Sequence, residues 1–109
     1  MRFLVRATVS LEAGNAQLRD PTFGPKLMST LASLNAEATY FGVENGARCI
    51  YLIVTVNGSD DIPRIAEPLW FICQATVDFI PLITLEDMAK AEPDIEKLVR
   101  SERESKGIE

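Results

Sequence analysis

The chain has 109 residues, a hydrophobic fraction of 47%, a charged fraction of 25% and a net charge of −5 at pH 7. This length predicts one domain over residues 1–109, and the composition is typical of globular proteins. The negative charge argues against a nucleic-acid surface, and no apolar run is long enough to cross a bilayer. Because Arg6 interrupts the first apolar stretch too early for a signal peptide, a cytoplasmic location is expected.

The sequence contains no histidine and two cysteines, Cys49 and Cys73. The missing histidine excludes Ser-His-Asp, Cys-His and HExxH chemistry. The spacing of the cysteines predicts no metal site, and both are interpreted as inert buried thiols. We therefore expect neither a metal nor a cofactor.

Residues 2–9 alternate between apolar and polar side chains, a pattern that predicts a half-buried strand. Its apolar face is expected to lie against helices, while Arg6 and Thr8 lie on the opposite face. The next stretch, residues 11–20, could form a short turn of helix. Asp20-Pro21 then predicts the start of a helix over about 21–34, with Asp20 as its N-cap. Gly14, Asn15 and Gly24 match no phosphate-loop spacing and are interpreted as flexible connector residues.

Residues 39–56 contain two β-rich runs joined by Asn45-Gly46, which is the strongest short signal for a hairpin. Counting outward from this turn places Tyr40 opposite Tyr51, on a face of mixed polarity. The other face is more apolar and should pack against helices. It carries Phe41, Val43, Ile50, Leu52, Val54 and Val56.

In the second half of the chain, Ser59 or Asp60 can cap a further helix. Pro68 must kink this helix or divide it, and we expect a break with a second short helix over residues 68–73. Residues 76–83 predict the last strand, and Pro81 places that strand at a sheet edge because proline cannot donate to a ladder. Thr84 begins a capping-box pattern, so residues 84–109 form a C-terminal helical extension. We expect Pro93 to divide this helix and its end to fray beyond Arg100.

Together the elements predict an α+β domain with a ferredoxin-like βαββαβ order. The four-stranded antiparallel sheet has the strand order 4-1-3-2, with helices on one face and an added C-terminal helix. The chain resembles the dimeric α/β-barrel superfamily in four places: residues 2–9, the Asn45-Gly46 hairpin, Ala66-Glu67-Pro68 and residues 77–83. That superfamily includes muconolactone isomerases, antibiotic monooxygenases, haem-degrading enzymes and YCII-like proteins. The resemblance implies a barrel of two sheets, but no catalytic residue carries over from it, and haem ligation by histidine is excluded.

The helix-free face of the sheet predicts a homodimer independently of this resemblance. It would expose a large apolar and aromatic area, which a symmetric partner covers most simply. The residues are Leu4, Tyr40, Tyr51, Ile53, Ile80 and Leu82.

One polar cluster follows from the predicted sheet, because Asp78, Arg6 and Tyr51 fall side by side with Tyr40 beyond them. Arg6 could bind a carboxylate or enolate while Asp78 acts as a base; alternatively, the two form a structural ion pair inside the dimer. Two function classes stay open. One is a non-catalytic or ligand-binding dimeric module. The other is a cofactor-free isomerase, cyclase or monooxygenase with a pocket on the sheet face.

Overall fold

A computed structural model describes residues 1–107 of the chain. These residues form one antiparallel sheet with the strand order β2-β3-β1-β4, which is the predicted order read from the other edge. The α+β, ferredoxin-like prediction is therefore confirmed. The elements are β1 (Arg2–Val9), α1 (Leu11–Arg19), α2 (Phe23–Ser33), β2 (Ala38–Glu44), β3 (Ala47–Thr55), α3 (Asp61–Phe71), β4 (Ala75–Pro81) and α4 (Leu85–Ser105).

The β2–β3 hairpin has the predicted turn and register. Asn45 and Gly46 both adopt positive φ angles, 50° and 77°, as a two-residue turn of this kind requires. Tyr40 pairs with Tyr51, and Phe41 pairs with Ile50. Because side chains alternate along a strand, this register decides which face of the hairpin is directed to the helices. On that face the residues from Ile50 onward are buried, but Phe41 and Val43 are 60% and 74% exposed, so the expectation that they pack against helices is wrong.

The core lies between one face of the sheet and the helices. It contains Val5, Ala7 and Val9 of β1, all at or below 4% exposure, together with residues of α2 and α3, while Phe3 is only partly buried. The opposite face of the sheet, here called the open face, carries side chains that are exposed or half-buried, apart from the buried Cys49. The buried core residues include Val5, Ala7, Val9, Leu31, Leu52, Val54, Ile65, Leu69 and Cys73.

The connection after β1 is more helical than predicted. Ser10 caps α1 by accepting a hydrogen bond from the Ala13 amide, so Gly14 and Asn15 are helical and the connector interpretation is wrong.

The predicted cap of α2 is also wrong, since Thr22 is the N-cap residue. Asp20 instead accepts bonds from the amide and hydroxyl of Thr22, at 2.9 and 2.7 Å, which lower the pKa of Asp20. The aspartate thus stabilises a local turn before the helix.

Pro68 and Pro93 each lie inside a continuous helix, contrary to the predicted breaks. Proline removes one backbone hydrogen bond, but its fixed φ is compatible with helical geometry. In α3 the neighbouring Leu69 is fully buried and anchors the last turn against the sheet. Pro81 ends β4 at a sheet edge, as predicted, although the strand stops two residues earlier than expected.

The C-terminal helix α4 begins with the predicted capping box between Thr84 and Asp87, whose hydrogen bonds lower the pKa of Asp87. None of its residues is buried, and the described chain extends 66 Å along its longest axis. The helix continues to Ser105, five residues past the position where fraying was expected. None of the helices in residues 1–107 is both long and apolar enough to cross a membrane.

Candidate functional site

The polar cluster predicted from the sequence forms at the centre of the open face. Arg6 on β1 pairs directly with Tyr51 on β3 and with Asp78 on β4. The three side chains therefore share one face and lie in adjacent strands. Arg6 Nη2 donates a hydrogen bond of 3.3 Å to Asp78 Oδ2. The predicted juxtaposition of Arg6 and Asp78 is present in the structure.

Glu44 is a fourth member of the cluster, and the sequence analysis missed it. Its Oε1 atom accepts a hydrogen bond of 2.8 Å from the Tyr51 hydroxyl and lies 4.0 Å from Arg6 Nη1. A signal for it existed, because Glu44 follows Tyr40 by four positions along β2 and so lies on the same face. The cluster thus combines one cation with two carboxylates.

Gly42 makes the bond between Tyr51 and Glu44 possible. A Cβ atom at this position would lie 2.8 Å from Tyr51 Cε2, closer than carbon atoms pack. Without that atom the tyrosine ring lies across β2 and reaches the end of the strand. Glycine inside a strand often marks such a close approach.

The environment of Tyr51 favours its neutral form. The hydrogen bond to Glu44 is the main cause that raises the pKa of Tyr51 above its ordinary value, followed by burial and the contact with Cys49. The tyrosine therefore keeps its proton and serves as a hydrogen-bond donor. A group held in this way is a poor proton donor for catalysis.

Apolar side chains surround the cluster on the open face. Tyr40, opposite Tyr51, is 63% exposed and has no part in the hydrogen bonds of the cluster. The neighbouring side chains Leu4, Ile53, Ile80 and Leu82 are half-buried. Trp70 and Glu67 on α3 are both exposed. The open face is therefore a surface of mixed polarity, in which apolar side chains lie around a charged centre.

A separate cavity of about 250 Å³ lies on the other side of the sheet, between the hairpin and the α1–α2 segment. Its walls are mainly apolar, and Arg48 and Gln17 are the polar side chains that line it. Gln17 Nε2 donates a 2.7 Å hydrogen bond to the carbonyl oxygen of Cys73. The lining residues are Val9, Gln17, Phe23, Leu27, Phe41, Gly42, Arg48, Cys49, Ile50 and Cys73.

Both cysteines are buried free thiols, as expected from the sequence. Burial raises the pKa of the Cys73 thiol, which disfavours the reactive thiolate. Within residues 1–107, the cysteine, aspartate and glutamate side chains form no group that could hold a metal ion. The described residues thus offer hydrogen bonds and apolar surface.

Comparison of the chain with known protein families, with curated proteins and with solved structures found no match. The function proposed below rests on the geometry of the described residues.

Proposed function

We propose that the protein is a homodimeric module in which two copies pair through their open faces. The supporting observation is the apolar surface around the Arg6 cluster, which no other element of residues 1–107 buries. Apolar side chains grouped on one face of a small protein are typical of an interface. A two-fold axis would place the same patch on both sides and cover it completely. Such a pairing of two sheets corresponds to the dimeric α/β-barrel arrangement that the sequence resembles.

The charged centre of the open face fits a structural role in this dimer. Each charged group of the cluster already has an opposite charge beside it, since Arg6 lies between Asp78 and Glu44. Burying such groups is tolerated when they are paired and hydrogen-bonded, whereas unpaired charges are costly. The cluster would also determine the relative orientation of the two sheets. When the interface excludes water, only an orientation in which each charged group keeps its partner avoids leaving a charge unpaired.

The catalytic alternative predicted from the sequence has weaker support. An isomerase, cyclase or monooxygenase on this face would need an acid, a base or an anion-binding group that can exchange its present partner for a substrate. Asp78 and Glu44 both face Arg6, and the Tyr51 hydroxyl donates to Glu44. The groups are therefore engaged with one another, and catalysis stays a prediction that a substrate screen would have to support.

Sedimentation equilibrium of three proteins tests the homodimer. The wild type should sediment at micromolar concentration with twice the mass of the 12.1 kDa chain. Ile53→Lys places a charge on the half-buried centre of the open face and should give a folded monomer. Met28→Lys makes the same type of change at a 61% exposed position on α2 and should remain dimeric.

Circular dichroism of each variant checks that the fold is retained. A monomeric wild type, or an Ile53→Lys variant that is folded and still dimeric, would contradict the proposal.

A further inference from the structure

The cavity on the helix side of the sheet has the composition of a small binding pocket. Phe23 and Leu27 of α2 and Ile50 of β3 supply apolar walls, and Phe41 stands at its edge with 60% exposure. Its volume of about 250 Å³ exceeds the roughly 150 Å³ of an engineered cavity that binds benzene. It lies just below the roughly 300 Å³ at which pockets for drug-sized ligands begin. One aromatic ring with a short substituent is therefore the size of ligand that fits.

Arg48 gives this pocket its charge. It pairs with Val43 in the hairpin, so its side chain lies on the helix side of the sheet, where it lines the cavity. Among residues 1–107 no carboxylate forms an ion pair with it. Its Nη2 atom donates a 3.1 Å hydrogen bond to Asn15 Oδ1, which holds the guanidinium in place with other donors free.

Gly14 provides the space for this arginine. A Cβ atom at Gly14 would lie 2.5 Å from Arg48 Nη1 and 3.2 Å from its Cδ atom. A side chain at Gly14 would therefore push the guanidinium away from α1. Gly14 and Asn15 of α1 thus position the Arg48 side chain, the first by leaving space and the second by accepting a hydrogen bond. Arg48 has no acidic partner among the described residues.

Arg6 and Arg48 differ in their capacity to bind an anion. Arg6 lies beside two carboxylates, so a ligand carboxylate would meet net negative charge there. Arg48 is bound to a neutral amide and keeps its full charge for a ligand. A guanidinium next to apolar walls favours a planar carboxylate, because it can donate two parallel hydrogen bonds.

We propose that this cavity binds a small aromatic monocarboxylate, with its ring between Phe23, Leu27 and Ile50 and its carboxylate against Arg48. The site is distinct from the dimer interface, since it lies on the opposite side of the sheet. Ligand binding and dimerisation can therefore be tested separately.

A titration of 15N-labelled protein with phenylacetate, followed by two-dimensional NMR, tests the site. The amide signals of Gly42, Ile50 and Cys73 should shift with a saturating dose dependence. Phenylacetamide, the uncharged analogue of the same shape, should bind about ten- to a hundredfold more weakly, as expected for a lost hydrogen bond between charged groups.

Matched variants isolate the contribution of Arg48. Arg48→Met should weaken phenylacetate binding by about the same factor, whereas Arg100→Met, at a 65% exposed side chain on α4, should leave it unchanged. Arg48→Lys keeps the charge without the planar fork and should give an intermediate affinity. Leu27→Phe fills the cavity and should reduce binding while Arg48 is intact.

Three results would overturn the proposal. They are no saturable shift of the cavity amides in the wild type, equal affinity for phenylacetate and phenylacetamide, and unchanged affinity in the Arg48→Met variant.

Discussion

The hydroxyl of Tyr51 donates a 2.8 Å hydrogen bond to Glu44, a residue that pairs with Ala47 near the turn of the same hairpin. The bond runs diagonally across β2, over the position where Gly42 has no side chain. It brings a second carboxylate to Arg6 and keeps Tyr51 protonated. The charge balance at the centre of the open face thus depends on one glycine.

Gly42→Ala should displace the Tyr51 ring and break its bond to Glu44, because the new methyl group would lie 2.8 Å from Cε2 of the ring. We expect the free energy of unfolding to fall by about 1–2 kcal/mol, as measured by urea denaturation at a fixed protein concentration. Gly42→Ala in a Tyr51→Ala background is the control, since the ring that the new methyl group would meet is then absent. Equal effects of Gly42→Ala in the two backgrounds would show that the ring does not depend on Gly42.

Tyr51 should make stability depend on pH in the alkaline range. The pKa of Tyr51 in the folded protein is raised above the ordinary value of 10.0. The stabilisation that the neutral tyrosine gives to the folded state is therefore complete below pH 10.0. It is lost as the pH rises from there through the higher pKa of the folded state. The difference in unfolding free energy between the wild type and Tyr51→Phe should therefore shrink above pH 10.0. A difference that stays constant through this range would contradict the assigned hydrogen bond.

The pair formed by Arg6 and Asp78 reports whether the open face is buried in solution. Their side chains are 36% and 50% exposed in the single chain, and a pair at that exposure contributes at most about 1 kcal/mol. Inside a dimer, Arg6→Met would leave Asp78 buried without a partner and should lower the free energy of unfolding by about 3 kcal/mol.

Adding Asp78→Leu to Arg6→Met should recover much of that loss, because the stranded charge is then removed. The four proteins of this cycle are compared by denaturant unfolding at the same concentration. A loss below about 1 kcal/mol for Arg6→Met would indicate an exposed surface pair.

The sheet could be predicted from the sequence because its signals are local and agree with one another. Asn45-Gly46 sets the turn, and alternation then determines the face of every residue in the hairpin. Arg6, Tyr51 and Asp78 were placed together by counting along strands whose order was also predicted. Their positions on one face depend on the backbone register, which the sequence pattern specifies strongly.

Features that depend on side-chain reach or on packing were harder to predict. Glu44 joins the cluster because the Tyr51 ring crosses Gly42, and alternation alone does not describe that reach. Pro68 suggested a helix break, but the complete burial of Leu69 holds the last turn of α3 in place. Arg48 was not predicted as a site residue, because its contact with Asn15 spans 33 residues of sequence and no local pattern indicates it.

The most direct test of the homodimer is a search for contacts between copies on the open face. A mixture of 13C-labelled and unlabelled protein is examined with an isotope-filtered NOE experiment, which detects protons of one copy close to protons of the other. We predict cross-peaks that join the Tyr40 and Tyr51 rings to the methyl groups of Leu4, Ile53 and Ile80 in the second copy. Cross-peaks confined to residues of the helices, or a spectrum with none at concentrations where sedimentation shows a dimer, would contradict pairing through the sheet.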